Sequence, residues 1–152
     1  MFQLKELLSP ALTFCAAPGT SKKKVIETAS ALIAERRSDL EAAEIYNNLL
    51  ARERLGSTAL GDGIAIPHCR LTACQEPVGS LITLEEPVDF DASDGQRVDI
   101  LFILMVPEEA TQEHLDILAG LARLLSQAAF CDALRAAESD EALYRAAVDY
   151  EL

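Results

Sequence analysis

The sequence predicts an α/β fold in which a mixed sheet is flanked by helices. Segments with the apolar spacing of helices lie toward both ends of the chain, and apolar runs rich in β-branched residues lie between them. The run 97–106, RVDILFILMV, is almost wholly apolar, which is typical of a central strand buried on both faces. Helices packed on both faces of such a sheet form a layered sandwich.

Length and charge limit the class of protein. The chain has 152 residues, half of them apolar. A single core organises about 100–200 residues, so we predict one domain over residues 1–152. The net charge of 13 − 25 = −12 disfavours binding to nucleic acid. No apolar run approaches the ~18 residues of a membrane span, and the first residues do not resemble a signal peptide. We therefore expect a cytoplasmic protein without direct membrane insertion, and homodimer formation stays open.

Two helices are predicted in the first third of the chain. Ser21 precedes a segment with helical apolar spacing, as an N-cap residue does. The lysines at 22–24 oppose the dipole of that helix, either as a docking patch for an acidic partner or as a solvated face. The segment 38–41, SDLE, has the pattern of a capping box, and the helix that it opens ends at Gly56.

The middle of the chain is predicted to form the sheet. A glycine-rich loop at 56–63, GSTALGDG, leads into a short strand at 64–67. Strands at 78–84 and 97–106 follow, separated by a turn at 91–95 that contains Asp, Ser and Gly.

Three helices are predicted beyond Pro107. Thr111 is the N-cap candidate for a helix over 112–127, and shorter helices follow at 128–137 and 140–148. The apolar stripe expected to face the core from the first of them comprises Leu115, Leu118, Ala119, Ala122 and Leu125.

His68 is the first candidate for chemistry. It directly follows the predicted strand at 64–67, whose last residue, Pro67, lacks an N–H and so ends the ladder. The glycines of the preceding loop let the backbone approach a ligand closely. This pattern fits a reactive imidazole at a strand end, and it also fits a surface histidine.

His114 and Arg52 are candidates for binding an anion. His114 occupies the third position of its predicted helix, where free N–H groups and the positive end of the helix dipole favour an anion. Arg52 lies in the last turn of its helix, from which it would lean over the glycine-rich loop. The alternatives are a solvent-facing histidine and an arginine that only complements the helix dipole. The loop has no P-loop pattern, but its N–H groups could line an anion nest.

Two other kinds of site compete with an anion site. His68, Cys69, Cys74 and His114 offer two nitrogens and two sulfurs to zinc, although neighbours such as His68 and Cys69 point to opposite faces of an extended chain. A Cys–His hydrolase would need an orienting partner and an oxyanion motif, and the sequence shows neither. We expect all four cysteines of the chain to be reduced thiols.

The stretch 52–68, RERLGSTALGDGIAIPH, resembles the active-site stretch of phosphotransferase-system EIIA proteins of the mannitol/fructose type. It is most similar to the nitrogen-regulatory members. Further similar segments are LSP at 8–10, SKK at 21–23 and EHL at 113–115, so the likeness covers nearly the whole chain. It implies a mixed sheet of about five strands flanked by helices. The sequence departs from the pattern at Cys69, where relatives often carry Gly.

This resemblance implies a phosphocarrier with a phosphohistidine intermediate. In that role His68 accepts a phosphoryl group on a ring nitrogen from an HPr-like carrier, and Arg52 and His114 bracket the group. The phosphorylation state would regulate partner proteins linked to nitrogen or potassium. Because the donor and the acceptor are both histidines, we expect a reversible transfer that needs no metal and no other cofactor.

Three other functions fit parts of the pattern. One is the EIIA of a fructose or mannitol transport system, which works with EIIB and EIIC partners. The second is a regulator that binds its targets without phosphorylation, and the third is a metal-binding module. The presence of Arg52 and His114 together with His68 favours the phosphocarrier, because a vestigial site would be expected to lose them.

Overall fold

A computed structural model describes residues 3–109 and 112–150. The elements are, in chain order, helix α1 (Leu4–Leu7), strand β1 (Leu8–Ala17), helices α2 (Lys22–Arg36) and α3 (Ala42–Arg54), strands β2 (Ala59–Gly61), β3 (Ile64–Ala65), β4 (His68–Leu71), β5 (Val78–Val88) and β6 (Val98–Pro107), and helices α4 (Gln112–Leu125), α5 (Ala128–Ala136) and α6 (Asp140–Val148).

The strands form one mixed sheet, which confirms the predicted fold class. Their order is β1-β5-β6-β3-β2, and β4 also pairs with β6, so the sheet has six strands and not about five. β5 runs antiparallel to β6 and parallel to β1, whereas β3 and β4 run parallel to β6. β6 lies at the centre, and every side chain from Ile100 to Val106 is buried, as its unbroken apolar run predicts.

Alternate residues of β6 contribute to two separate cores. Residues 101, 103 and 105 pack in the core that contains α2 and α3. Residues 100, 102, 104 and 106 pack in the core that contains α4, α5 and α6. The two-residue period of a strand therefore places helices on both faces of the sheet.

The prediction that strands occur only in the middle of the chain is wrong. β1 begins at Leu8 and pairs with β5, with register shifts on either side of its Thr13–Phe14 pairs. Ala16 has a φ of 54°, in the left-handed region, and its N–H donates to the Thr83 hydroxyl. Such irregularities break the alternation of apolar and polar residues by which a strand is detected. β5 also continues to Val88, past its predicted end at 84.

The helix boundaries agree in part with the predictions. Ser21 caps α2, since its hydroxyl accepts from the Lys24 N–H at 3.2 Å. The capping box at 38–41 is wrong, because α3 is preceded by Glu41 and no side chain caps it. Asp39 instead binds the Arg37 guanidinium at 2.9 and 3.0 Å. α3 ends before Gly56, as predicted, and the Gly56 N–H donates to the Glu53 carbonyl.

The single strand predicted at 64–67 is two short strands, β3 and β4, on either side of Pro67. Proline removes one donor from the ladder but keeps its acceptor. The Pro67 carbonyl accepts from the Leu104 N–H at 3.0 Å, so pairing with β6 continues and resumes at His68. His68 is therefore the first residue of a strand, not a residue beyond the end of one.

The predicted apolar stripe of α4 is partly wrong. Its buried residues are His114, Gly120, Leu121 and Leu125, whereas Leu115 is 60% exposed. Apolar residues occur around much of this helix, so spacing alone does not select the buried face. Thr111, the predicted N-cap, lies outside the described residues. The bounds of α5 and α6 agree with the prediction to within one residue.

Across residues 3–109 and 112–150, none of the helices has both the length and the apolar character that a membrane span needs. α4 and α5 meet the criteria of length and composition only as a pair, and they are bent by 79° at the break between them. Both helices pack against the sheet through buried residues such as Leu121 and Leu134.

Candidate functional site

Three elements bring the predicted site residues into one pocket. His68 opens β4, His114 is the third residue of α4, and Arg52 lies in the last turn of α3. The pocket has a volume of about 390 Å³. Its other lining residues are Asn48, Ala51, Leu55, Cys69 and Arg70.

The topology of the sheet explains why these elements meet. β4 runs parallel to the last residues of β6, with His68 beside Leu104 and Leu71 beside Pro107. The chain leaves β6 at Pro107 and enters α4 at Gln112. The start of α4 therefore lies close to β4, although 46 positions separate His114 from His68 (114 − 68).

The His68 ring is held in one tautomer. Its Nδ1 lies 2.7 Å from the Ile66 carbonyl oxygen. Because a carbonyl oxygen only accepts hydrogen bonds, Nδ1 must carry the proton and donate it. In the neutral ring Nε2 then has the free lone pair, which makes it the nucleophilic nitrogen.

The His114 ring contains a polar atom that lacks a partner. The residue is 8% exposed, and its Nε2 is buried without a hydrogen bond to any of the described residues. Leaving a buried polar group unpaired costs about 1–3 kcal/mol. The ring centroid is 5.7 Å from that of His68. An unpaired ring nitrogen so close to the free Nε2 of His68 is placed to bind a group that enters the pocket.

Both imidazoles are held in the neutral form. Burial lowers the pKa of His68, the hydrogen bond to Ile66 acts in the opposite direction, and the charge of Arg52 lowers the pKa further. Burial also lowers the pKa of His114, with smaller contributions in the same direction from His68 and Arg70. Since the ordinary pKa of histidine is about 6.5, a lowered pKa leaves both rings mainly uncharged at neutral pH, the form in which one ring nitrogen keeps its lone pair.

The position of Arg52 is compatible with both roles considered for it. Its Nη1 donates to the Gly56 carbonyl at 2.9 Å, which satisfies an acceptor just beyond the end of α3. The same side chain lines the pocket with the two histidines. A guanidinium has five N–H donors, so this hydrogen bond leaves others for an anion.

Arg70, a second cation in the pocket, was not among the residues predicted from the sequence. Its Nη1 donates to the Glu108 carbonyl at 3.3 Å, which joins β4 to the segment that leads into α4. Arg70 follows His68 by two residues in a strand, and such residues share a face of the sheet. This spacing would have indicated Arg70 had the strand at His68 been predicted. Leu55, 84% exposed on the rim of the pocket, was also missed.

The lysines at 22–24 do not form one patch. Lys22 is partly buried and its Nζ lies 2.9 Å from Glu53 and 3.2 Å from Asp91. Lys24 is exposed and pairs with Glu27 on its own helix. Lys22 therefore belongs to an internal ion pair, and the interpretation as a solvated face holds for Lys24.

Cys69 is not placed to act as a nucleophile. It is packed in the core beneath β4, and burial raises the pKa of its thiol to about 12. A thiol with that pKa is protonated at neutral pH and unreactive. All four cysteines are free thiols, as predicted. In the part of the chain that the structure describes, no three His, Cys, Asp or Glu side chains come together as a metal site would require.

A larger groove of about 730 Å³ lies between α1 and α4. It is lined by charged residues that include Glu6, Glu113 and Arg123, and neither histidine takes part in it. The larger volume of this groove does not by itself make it the functional site. The smaller pocket is the better candidate, because it combines an imidazole with a free ring nitrogen, a buried ring nitrogen without a partner among the described residues, and two cations.

Comparison with known proteins identifies the family of the chain. A family model described as the phosphoenolpyruvate-dependent sugar phosphotransferase system, EIIA 2, matches residues 6–147. The chain belongs to this EIIA family. The match confirms the resemblance drawn from the stretch 52–68, which contains Arg52 and His68.

Relatives within the EIIA family include nitrogen regulatory proteins. One from Pseudomonas aeruginosa is 48% identical over 151 residues, which are 99% of this chain and 98% of the relative. Another, from Escherichia coli, is 41% identical over 150 residues, or 98% of this chain and 91% of the relative. The crystal structure of nitrogen regulatory protein IIA-Ntr from Neisseria meningitidis matches with a TM-score of 0.86 at 41% identity, covering 95% of this chain and 98% of that one.

Proposed function

We propose that this EIIA protein is a phosphocarrier that accepts a phosphoryl group on Nε2 of His68 from an HPr-like phosphohistidine carrier. Its phosphorylation state then regulates partner proteins, which we expect to be linked to nitrogen or potassium in the cytoplasm. The observation that carries the proposal is the pairing of two rings. His68 has Nε2 free because Nδ1 is bound, and His114 has a buried Nε2 without a partner among residues 3–109 and 112–150.

The transfer exchanges one P–N bond for another. The lone pair on Nε2 of His68 forms a bond to phosphorus, and the P–N bond of the donor breaks with its electron pair returning to the donor ring. The proton on Nδ1 stays in place, and the Ile66 carbonyl stabilises the positive charge that develops on the ring. Because the transition state is loose, position and charge stabilisation supply most of the catalysis.

Positive groups surround the expected position of the phosphoryl oxygens. Arg52 and Arg70 line the pocket, and the N-terminal turn of α4 contributes backbone N–H groups and the positive end of its dipole. His114 with its proton on Nε2 would donate to a phosphoryl oxygen and so satisfy an atom that has no partner in the part of the chain that the structure describes. Each of these donors binds the phosphoryl oxygens most strongly when the charge of the transition state has developed.

The names and identities of the relatives support a regulatory role over sugar transport. The proteins that are 41% and 48% identical to this chain are called nitrogen regulatory proteins. A transport EIIA would pass its phosphoryl group to an EIIB partner, whereas a regulator would alter the activity of a target protein. A purely non-catalytic regulator would have no use for the nucleophile–donor pair of His68 and His114.

Mass analysis after incubation with phosphoenolpyruvate, Enzyme I and an HPr-like carrier tests the proposal. We expect the mass of one phosphoryl group to be added, at His68, only when the carrier is present. Rapid onward transfer to a fructose- or mannitol-type EIIB would identify a transport protein instead. Absence of any mass gain with an active carrier would contradict the phosphocarrier role.

A further inference from the structure

Glu53 is the one buried acidic residue in the part of the chain that the structure describes. It lies in the last turn of α3, directly after Arg52, and its side chain is 3% exposed. Burying a carboxylate is unfavourable unless it is paired and hydrogen-bonded. The buried carboxylate of Glu53, next in the chain to a residue that lines the pocket, therefore needs specific partners.

The carboxylate of Glu53 joins α2, α3 and the glycine-rich loop. Lys22, the first residue of α2, donates from Nζ to Oε2 at 2.9 Å. The hydroxyl of Thr58 donates to Oε1, and the Thr58 N–H lies 3.3 and 3.4 Å from the two oxygens. Hydrogen bonds to an ionised acceptor are stronger than neutral ones, so the position of Thr58 is closely constrained.

Thr58 in turn holds the backbone that orients His68. The Thr58 carbonyl accepts from the Ile66 N–H at 3.1 Å, and the Ile66 carbonyl accepts from Nδ1 of His68 at 2.7 Å. The next residue, Pro67, accepts a hydrogen bond at its carbonyl from the Leu104 N–H of β6. Residues 66–67, which precede His68, are therefore held by Thr58 on one side and by β6 on the other.

We propose that Glu53 is a positioning residue for His68: by fixing Thr58 it fixes the Ile66 carbonyl, which sets the orientation and tautomer of the imidazole. Lys22 balances the buried charge of Glu53. The consequence for catalysis rests on the phosphotransfer proposed above. The position of the ring, however, is a property of the unphosphorylated protein and is measurable without any donor.

Loss of this support has a defined chemical consequence. If the Ile66 carbonyl moves away from Nδ1, the proton of the neutral ring is no longer retained there and populates Nε2 as well. A ring protonated on Nε2 has no lone pair on the nitrogen that attacks. The fraction of competent molecules falls, and the rate falls with it.

Ring ¹⁵N chemical shifts report the tautomer directly, and the chain has only two histidines to assign. In the wild type we expect His68 in the Nδ1–H form at a pH where both rings are neutral. In Glu53→Gln we expect a mixture of tautomers at His68 and phosphoryl acceptance slowed in proportion to the loss of the Nδ1–H form, by roughly severalfold. Thr58→Val, which keeps the side-chain shape but removes the hydroxyl donor, should shift both measurements in the same direction.

Glu27→Gln is the matched control, because it breaks an exposed lysine–glutamate pair on α2. It should leave the tautomer and the transfer rate unchanged. If Glu53→Gln and Thr58→Val lower the melting temperature while His68 stays in the Nδ1–H form, Glu53 is only a stabilising residue and the proposal is overturned. Should Glu53→Gln not fold, Thr58→Val decides by the same two measurements. If Glu53→Gln shifts the tautomer of His68 but the wild type accepts no phosphoryl group, the positioning role is supported and the proposed function is contradicted.

Discussion

The rings of His68 and His114 meet edge to face, with centroids 5.7 Å apart and planes inclined by 71°. His68 uses Nδ1 to bind the Ile66 carbonyl, whereas Nε2 of His114 is buried without a partner among the described residues. Nε2 of His68 therefore carries a free lone pair, and Nε2 of His114 is a buried ring nitrogen without a partner among those residues.

Replacing His68 by alanine should abolish phosphorylation and leave the fold intact. His68 is partly exposed at the start of a short strand, so the loss of its ring removes few core contacts. Mass analysis after incubation with the complete donor system would show no added phosphoryl group, and circular dichroism would match the wild type. A His68→Ala protein that is labelled as well as the wild type would show that another residue is the acceptor.

Replacing His114 by leucine should slow transfer without lowering stability. Loss of one donor to a transition-state anion typically costs about 3 kcal/mol, or roughly a hundredfold in rate. Leucine also removes a buried polar atom that has no partner within the described ranges, so we expect the melting temperature to stay the same or rise. Rapid-quench kinetics and thermal melts test both parts. Transfer at the wild-type rate would remove His114 from the mechanism.

Replacing Arg52 by lysine separates its two roles. A lysine ammonium keeps the charge and is able to donate to the Gly56 carbonyl, but it lacks the planar fork that binds an anion at the same time. We expect near-normal thermal stability and acceptance slowed by at least about tenfold, or ~1.4 kcal/mol of barrier. Arg54→Lys, an exposed arginine in the same helical turn, is the matched control and should transfer normally. Equal rates for the two variants would leave Arg52 with a structural role only.

Replacing Arg70 by glutamine should raise the pKa of His114. The positive charge of Arg70 is one of the causes that lower this pKa, and glutamine removes it. An NMR titration of the His114 ring measures the change. Arg123→Gln makes the same charge change on α4, about nine residues or ~13 Å along the helix, where solvent screens it. If both substitutions shift the pKa equally, the effect is one of net charge and not of the pocket.

Acidification should destabilise the protein through its two histidines. Their pKa values lie below the ordinary value of about 6.5 when the protein is folded, so the unfolded chain binds more protons as the pH falls below that value. Stability is then highest above about pH 6.5 and declines until the pH reaches the lower, folded pKa values. Urea unfolding at several pH values would show this decline. It should be weaker in a His68→Gln, His114→Leu double variant, and an equal decline would assign the effect to other groups.

Much of the fold follows from patterns local in sequence. β6 is recognisable because seven consecutive buried positions, from Ile100 to Val106, need apolar side chains on both faces of the sheet. α5 and α6 are recognisable from helical spacing. β1 is not, because its irregular pairing and the left-handed Ala16 break the alternation of a strand.

The buried face of α4 was ambiguous for a related reason. Its apolar residues cover more than one side, and the packing against β6 selects Leu121 and Leu125 over Leu115. The burial of Glu53 was also not predictable from the sequence. An acidic residue in the last turn of a helix is ordinarily assigned to the surface, and only its contacts with Lys22 and Thr58 explain its burial.

By itself the sequence determined the α/β class, the central strand and the three candidate residues Arg52, His68 and His114, because each depends on residue types and short spacings. Only the tertiary structure decided that these residues share one pocket, since the parallel pairing of β4 with β6 places His68 beside the entrance to α4. It also decided which nitrogen of His68 is free. That choice depends on a carbonyl held in place by Thr58, eight residues earlier in the chain, and no local pattern encodes such a contact.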